Sequence, residues 1–128
     1  MKFRVRYSES DRMGYVYYAH YAQYFEVTRV EMLRQLGLLY KEIEDSGILL
    51  PVVNYSIRFF KPAYYDDEIL VIASVNKPPM ASIVFNYETF NAKDEIINRA
   101  ETTLAFIDKK SGKPMRAPMH LIEKFSDS

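Results

Sequence analysis

Apolar and polar residues alternate along most of this chain, and one long stretch with helical spacing interrupts the alternation near its start. The opening FRVRYS, residues 3–8, alternates and reads as a first strand, and the polar loop ESDRMG, residues 9–14, follows it with Gly14 at its end. From about Tyr17 to Leu36 there is neither proline nor glycine. Ala22, Phe25, Arg29, Met32, Leu33 and Leu36 recur there near one stripe, which predicts a helix stopped by Gly37. At 1.5 Å per residue such a helix is roughly 30 Å long, enough to cross a small domain, and its broad aromatic surface predicts deep burial. YKEIEDSG, residues 40–47, predicts a short helix ending at Gly47.

The second half returns to alternation. Val53, Tyr55, Ile57 and Phe59 predict a strand that breaks at Pro62, and EILVIASVNK, residues 68–77, predicts the next. A turn with Pro78 and Pro79 leads into ASIVFNYETFN, where Ile83, Phe85, Tyr87 and Thr89 share one side. AKDE, residues 92–95, turns the chain into a last strand from about Ile97 to Ile107. DKKSGKP, with Gly112, is a tight loop, and Pro118 to Phe125 a short helical tail. A strand, a long helix, then three or four strands on short connections predict an α+β fold. Its antiparallel sheet carries the helix on one face, within a single domain over residues 1–128.

Charge and composition narrow the function. Seventeen Lys and Arg balance seventeen Asp and Glu, so there is no net positive field of the kind that nucleic-acid binding needs. No apolar run reaches about 18 residues and no charged-then-apolar leader opens the chain, so a soluble, cytoplasmic protein without an integral membrane segment is expected. Without cysteine, thiolate nucleophiles, disulfides and Cys-based zinc sites are excluded. Only His20 and His120 are available as imidazoles, and no metal-ligand spacing occurs. The glycines, at 14, 37, 47 and 112, are too scattered for a phosphate-cradling loop, and no Gly-x-Ser-x-Gly is present.

Carboxylates remain. Asp66 and Asp67 sit in PAYYDDE, a turn entering a strand, where paired acids ordinarily serve as turn formers. Asp11 differs because a helix follows it. It reads either as a cap or dipole partner contributing about 0.5–2 kcal/mol, or as a base or nucleophile facing a helix start whose free N–H groups polarise a carbonyl. Other residues have plainer readings: Glu26 and Arg29 are spaced for an intrahelical ion pair, His20 for a packed or interface position, and Tyr7 for core or for lining the site. The aromatics Tyr15, Tyr17, Tyr21 and Tyr24 read as core or as the wall of a pocket.

Asp11, Gly14, Tyr17, Tyr21, Phe25, Glu26, Arg29 and the EMLR of Glu31 to Arg34 together resemble the motif of the 4-hydroxybenzoyl-CoA thioesterase-like hotdog proteins, nearest to the small acyl-CoA thioesterases associated with the Tol–Pal system. YSIRFFKPAYYDDEILV and FIDKKSGKPMRAP resemble that family's later regions, so the likeness spans nearly the whole chain. It implies a hotdog fold, a long central helix wrapped by a curved antiparallel sheet of about five strands, and a homodimer or homotetramer with active sites at the subunit interface. It implies hydrolysis of an acyl-CoA thioester, with coenzyme A entering as part of the substrate and no separate cofactor or metal. Asp11 would be nucleophile or general base, the backbone N–H of Tyr18 the oxyanion donor, and Tyr7 a further catalytic-site residue. Gly14, Tyr17, Tyr21, Arg58 and Lys61 would contact substrate, with Arg99 and Arg116 as further candidates for its phosphates.

The pattern departs from that subfamily at one point. Tyr18 stands where a histidine is common, and His20 is two residues on, about 200° around a helix. Either the Tyr18 hydroxyl takes over a hydrogen-bonding role, or Asp11 and the backbone act alone. A non-catalytic acyl-CoA-binding hotdog protein is the alternative, a purely structural dimer and a hydratase the more distant ones.

Overall fold

The computed structural model describes residues 1–7 and 18–126. Strand β1 (Lys2–Arg4) precedes a 3-10 turn at Tyr18–His20, which runs directly into helix α1 (Tyr21–Gln35). Helix α2 (Tyr40–Asp45) and strands β2 (Ile48–Leu49), β3 (Val52–Phe59), β4 (Glu68–Ser74), β5 (Ser82–Phe90), β6 (Ile96–Ala105) and β7 (Ile107–Asp108) follow, and helix α3 (Met119–Ser126) comes last. Five strands form one antiparallel sheet in the order β1-β4-β5-β6-β3, and β2 pairs separately with β7.

The helix obeys its sequence signals, with a tighter start. His20 makes no side-chain capping bond, and helix ends without such a partner commonly tighten into 3-10 geometry. At the other end Gly37 takes φ +81°, its N–H bonds to the Arg34 carbonyl at 2.9 Å, and the Leu38 N–H reaches the Leu33 carbonyl at 2.8 Å. This is the Schellman closure, completed by the buried pair Leu33 and Leu38.

Strict alternation along β5 turns Ile83, Phe85, Tyr87 and Thr89 toward α1. Phe25 of α1 stacks on Tyr87 with ring centroids 4.6 Å apart, and Phe25 also meets Tyr55 of β3 at 6.2 Å. The β5–β6 turn is held by Asn91, whose Oδ1 accepts from the N–H groups of Lys93 and Glu95, both at 3.0 Å. A bulge opposite Phe90 then places both Ile97 and Asn98 in the interior.

Four expectations are corrected. The first strand ends early: Val5 still bonds to Asp66 and Asp67, but beyond it the chain has left the β4 ladder, and Tyr7 is 78% exposed rather than core. The α-helix proper begins at Tyr21. The last strand divides at Phe106, whose N–H turns to Ala81 and whose carbonyl accepts from Met115. Finally, Arg29 is not Glu26's ion partner. It is buried, and its Nε donates to the Tyr40 hydroxyl at 2.9 Å and its Nη1 to the Tyr87 hydroxyl at 3.0 Å. Tyr87 in turn meets Thr102 Oγ1 at 2.7 Å, and the guanidinium lies 5.9 Å from the Phe85 ring centroid.

A buried cation held by hydroxyls has no spare partner when one is removed. Tyr87→Phe is expected to lower stability by about 1–3 kcal/mol, read as a lower urea midpoint with an unchanged slope. An unaltered midpoint would show that the hydroxyl contributes nothing.

Candidate active site

The site is built around the start of α1. The turn at Tyr18–His20 and the first turn of α1 carry no acidic residue, so the free N–H groups and positive dipole end are not met by a carboxylate of their own helix. Asp11, Gly14, Tyr15 and Tyr17 lie outside the described residues. The Tyr18 backbone forms the 3-10 turn itself, and His20 follows at φ −73°, half-buried.

The remaining sequence candidates fall in different places. Tyr7 packs edge-on against Tyr65 with centroids 5.7 Å apart, at the surface. Arg58 stands opposite Arg99 on the sheet face away from α1, its guanidinium 5.7 Å from the Phe60 ring centroid, and Arg99 reaches Glu88 at 3.3 Å. Lys61 forms an ion pair with Glu95 and, with Asn91, holds the Glu95 carboxyl below its usual range. Asp66 and Asp67 are turn residues as expected: Asp66 adopts φ 69°, and Asp67 Oδ2 accepts the Tyr64 N–H at 2.8 Å.

Beneath the helix start lies a feature the sequence reading only half anticipated. Tyr21, Thr89 and Asn98 are buried together, with Thr89 and Asn98 directly opposite one another on β5 and β6 and both fully inaccessible. Asn98 also faces Phe59 across the β3–β6 ladder, and the Phe59 ring is 5.6 Å from that of Tyr21. The Tyr21 hydroxyl, Thr89 Oγ1 and both polar atoms of the Asn98 amide have no hydrogen-bond partner among the described residues. An unpaired buried polar group costs about 1–3 kcal/mol, so four such atoms in one place are a standing expense of the fold. Burial pushes the Tyr21 phenol up to about 12, against the pull of the nearby Asn98 amide and with a smaller push from Asp67. Tyr21 and Asn98 are neighbours, yet no bond of ordinary geometry joins them. Tyr21 was a sequence candidate and Asn98 was not; the available signal was an amide in phase with the apolar inward positions Ala100 and Leu104.

Among the described residues no group of three or more His, Asp or Glu is gathered as a metal site, and no helix is long and apolar enough to cross a membrane. An apolar crevice between Leu33, Tyr40, Ile43, Phe85 and Phe106 has room for about one water, at ≈ 10 Å³.

Residues 5–125 match the thioesterase-like superfamily. The chain belongs to that family. It is 34% identical over 115 residues to YneP of Bacillus subtilis, whose name proposes an acyl-CoA thioesterase, covering 90% of this chain and 83% of that one. It is 27% identical to the acyl-CoA thioester hydrolase YbgC of Escherichia coli, covering 95% and 91%. A solved structure of the DHNA-CoA thioesterase of Staphylococcus aureus superposes with a TM-score of 0.86 at 34% identity, covering 91% and 78%. The fold of this thioesterase-like protein is accordingly the hotdog fold, with α1 as the helix that lies on the five-stranded sheet.

The raised Tyr21 value has a consequence for stability. Because the folded state favours the neutral phenol, Tyr21's share of stability is complete below pH 10 and is lost as pH rises from 10 through about 12. Denaturant unfolding at stepped alkaline pH is expected to show wild type losing more stability than Tyr21→Phe across that window. Parallel curves would mean the hydroxyl titrates at its ordinary value.

Proposed function

We propose that this member of the thioesterase-like superfamily hydrolyses an acyl-CoA thioester to a carboxylic acid and coenzyme A. The observation that carries the reading is the family match over residues 5–125, which takes in Asp11 and the whole of α1. The names of its relatives YneP and YbgC support the substrate class.

In this reading the thioester carbonyl meets the start of α1, where the Tyr18 N–H and the dipole stabilise the negative charge that develops on oxygen. Asp11 either takes a proton from the attacking water or attacks the carbonyl itself, giving a mixed anhydride that water then opens. In both routes the C–S bond breaks and the coenzyme A sulfur leaves as a thiolate, which takes up a proton. The reaction draws on no metal or redox cofactor. Arg58 and Lys61 are the proposed contacts for coenzyme A, and Lys61 would have to exchange Glu95 for a phosphate to serve.

Two copies are proposed to pair through β3. This edge strand leaves Val52, Val53, Tyr55 and Phe59 substantially exposed, with Phe60 just beyond, and an unpaired apolar edge is a template for another strand. The natural pairing is isologous, joining two sheets across a two-fold axis.

Free-thiol release from short, medium, long and aromatic acyl-CoAs should show turnover that falls about a hundredfold or more in Asp11→Asn, with Tyr18→Phe separating the side chain from the backbone donor. Absence of turnover on every acyl-CoA would defeat the hydrolase reading. Sedimentation should give a dimer or tetramer for wild type and a smaller species for Val53→Lys; a monomeric wild type would remove β3 as an interface.

A further inference from the structure

We propose that the hairpin at residues 108–116 docks this protein onto an anionic phospholipid surface, with Met80 and Met119 entering the headgroup layer beside it. The proposal stands apart from the hydrolase reading. The chain as a whole is neutral, yet DKKSGKPMR carries Lys109, Lys110, Lys113 and Arg116 against Asp108 alone. All four cations are exposed and, among the described residues, none of them is in an ion pair, whereas Lys2, Arg4, Arg34, Lys61 and Arg99 each have a carboxylate partner. The acids of the adjoining elements, Glu44 and Asp45 of α2 and Glu123 of α3, pair with none of the four. The turn itself is built without the lysine ammonium groups. Gly112, at φ +70°, donates its N–H to the Asp108 carbonyl at 2.7 Å, Asp108 Oδ1 accepts the Lys110 N–H at 3.0 Å, and Ser111 Oγ accepts the Lys113 N–H at 3.2 Å. The Lys109 N–H bonds to the Gly47 carbonyl at 2.9 Å and braces the hairpin against the end of α2. A held backbone therefore presents flexible cations to solvent.

Two features select a bilayer over a compact ligand. Three of the four cations are lysines, point charges on long stems that suit a diffuse negative field, whereas a fixed phosphate or carboxylate is best met by the planar fork of arginine. The second feature is apolar. Met80 and Met119 are 57% and 66% exposed, and the Ala117 N–H bonds to the Met80 carbonyl at 2.6 Å, two residues before Met119. The Phe106 N–H reaches Ala81 and the Met115 N–H reaches Phe106, so the methionines and the base of the hairpin share one end of the sheet. Lys77 and Pro78, exposed on the Met80 turn, extend that end. Thioether side chains adapt to an irregular apolar layer, and apolar area beside clustered cations is the combination that holds a protein at a membrane surface. This is not the end at which α1 begins. Tyr21 meets Phe59, which faces Asn98 and so marks the Thr89 end of β5, whereas the hairpin joins the Ser82 end. At about 3.3 Å per residue the two ends are roughly 23 Å apart, so the patch is separate from the groups proposed to act at the helix start.

The test is co-sedimentation with vesicles of phosphatidylcholine alone and of phosphatidylcholine containing phosphatidylglycerol. Wild type is expected on the anionic vesicles at about 0.1 M salt, off them at about 1 M, where the Debye length falls from about 10 to about 3 Å, and off the neutral vesicles throughout. A lysine at the surface is worth about fivefold in the partition coefficient, so Lys110→Gln with Lys113→Gln should lower it about 25-fold. Lys2→Gln with Lys93→Gln removes the same charge elsewhere and should leave it nearly unchanged. Met119→Ser should weaken partitioning several-fold, and a value equal to wild type overturns the insertion. No anionic preference in wild type, or equal losses in the two double variants, overturns the proposal. Calorimetric binding of glycerol phosphate that depends on Lys110 and Lys113 would mark a soluble-phosphate site instead, and retention by polyglutamate without vesicle binding would mark an acidic protein as the occupant; either overturns it.

Discussion

Four side chains at four-residue spacing, Tyr21, Phe25, Arg29 and Leu33, form the ridge by which α1 seats on the sheet, and all four are buried. Each meets a different part of the inner surface. Tyr21 lies against Phe59, Phe25 between Tyr55 and Tyr87, and Arg29 against Phe85 and the Tyr87 hydroxyl. A slide of the helix by one turn, about 5.4 Å, would carry the guanidinium away from Tyr87 and Tyr40 and into apolar surroundings. Apolar contacts alone tolerate such slippage better than a directional pair of hydrogen bonds. The seating of α1 therefore sets where the Tyr18–His20 turn ends up, and with it every group that acts at the helix start.

Arg29 is an uncommon way to achieve this, because a buried cation normally sits beside a carboxylate. Here burial works against its charge, and the Tyr40 and Tyr87 hydroxyls more than offset that effect. Tyr40 opens α2 and Tyr87 lies mid-strand on β5, so a single guanidinium ties three elements together. Hydrophobic burial supplies most of the driving force for this packing, while the guanidinium makes one arrangement preferable to its near neighbours.

What the sequence made legible followed from repetition. The strict alternation of β5, the glycine stop at Gly37 and the turn at residues 92–95 are local signals, and each appears where it was expected. Arg29 was on the predicted stripe, yet its partners lie 11 and 58 residues away, and Glu26, an acid at helical spacing from it, drew the wrong pairing. Asn98 was hidden by the bulge: counting by two from Ile97 points Arg99 and Glu101 inward, whereas the extra residue shifts the phase to Asn98, Ala100, Thr102 and Leu104. Tyr7 fails for a related reason. The alternation of residues 3–8 is real, but β4 starts at Glu68 and offers no ladder beyond Val5. Asp11, Gly14 and Tyr17 lie outside the described residues, so their roles rest on the family motif.

The two buried polar groups of the core are opposites, and the contrast bears on what each is for. Around Arg29 the Nε and Nη1 donors find acceptors, the chain of hydrogen bonds closes through Thr102, and the result is a contact that holds the fold. Around Asn98 none of the four atoms finds one, so the same kind of residues in the same kind of surroundings subtract from stability. A core selected for stability alone would carry valine at position 89 and an apolar residue at 98, since removing both members of an unmet pair is neutral or favourable.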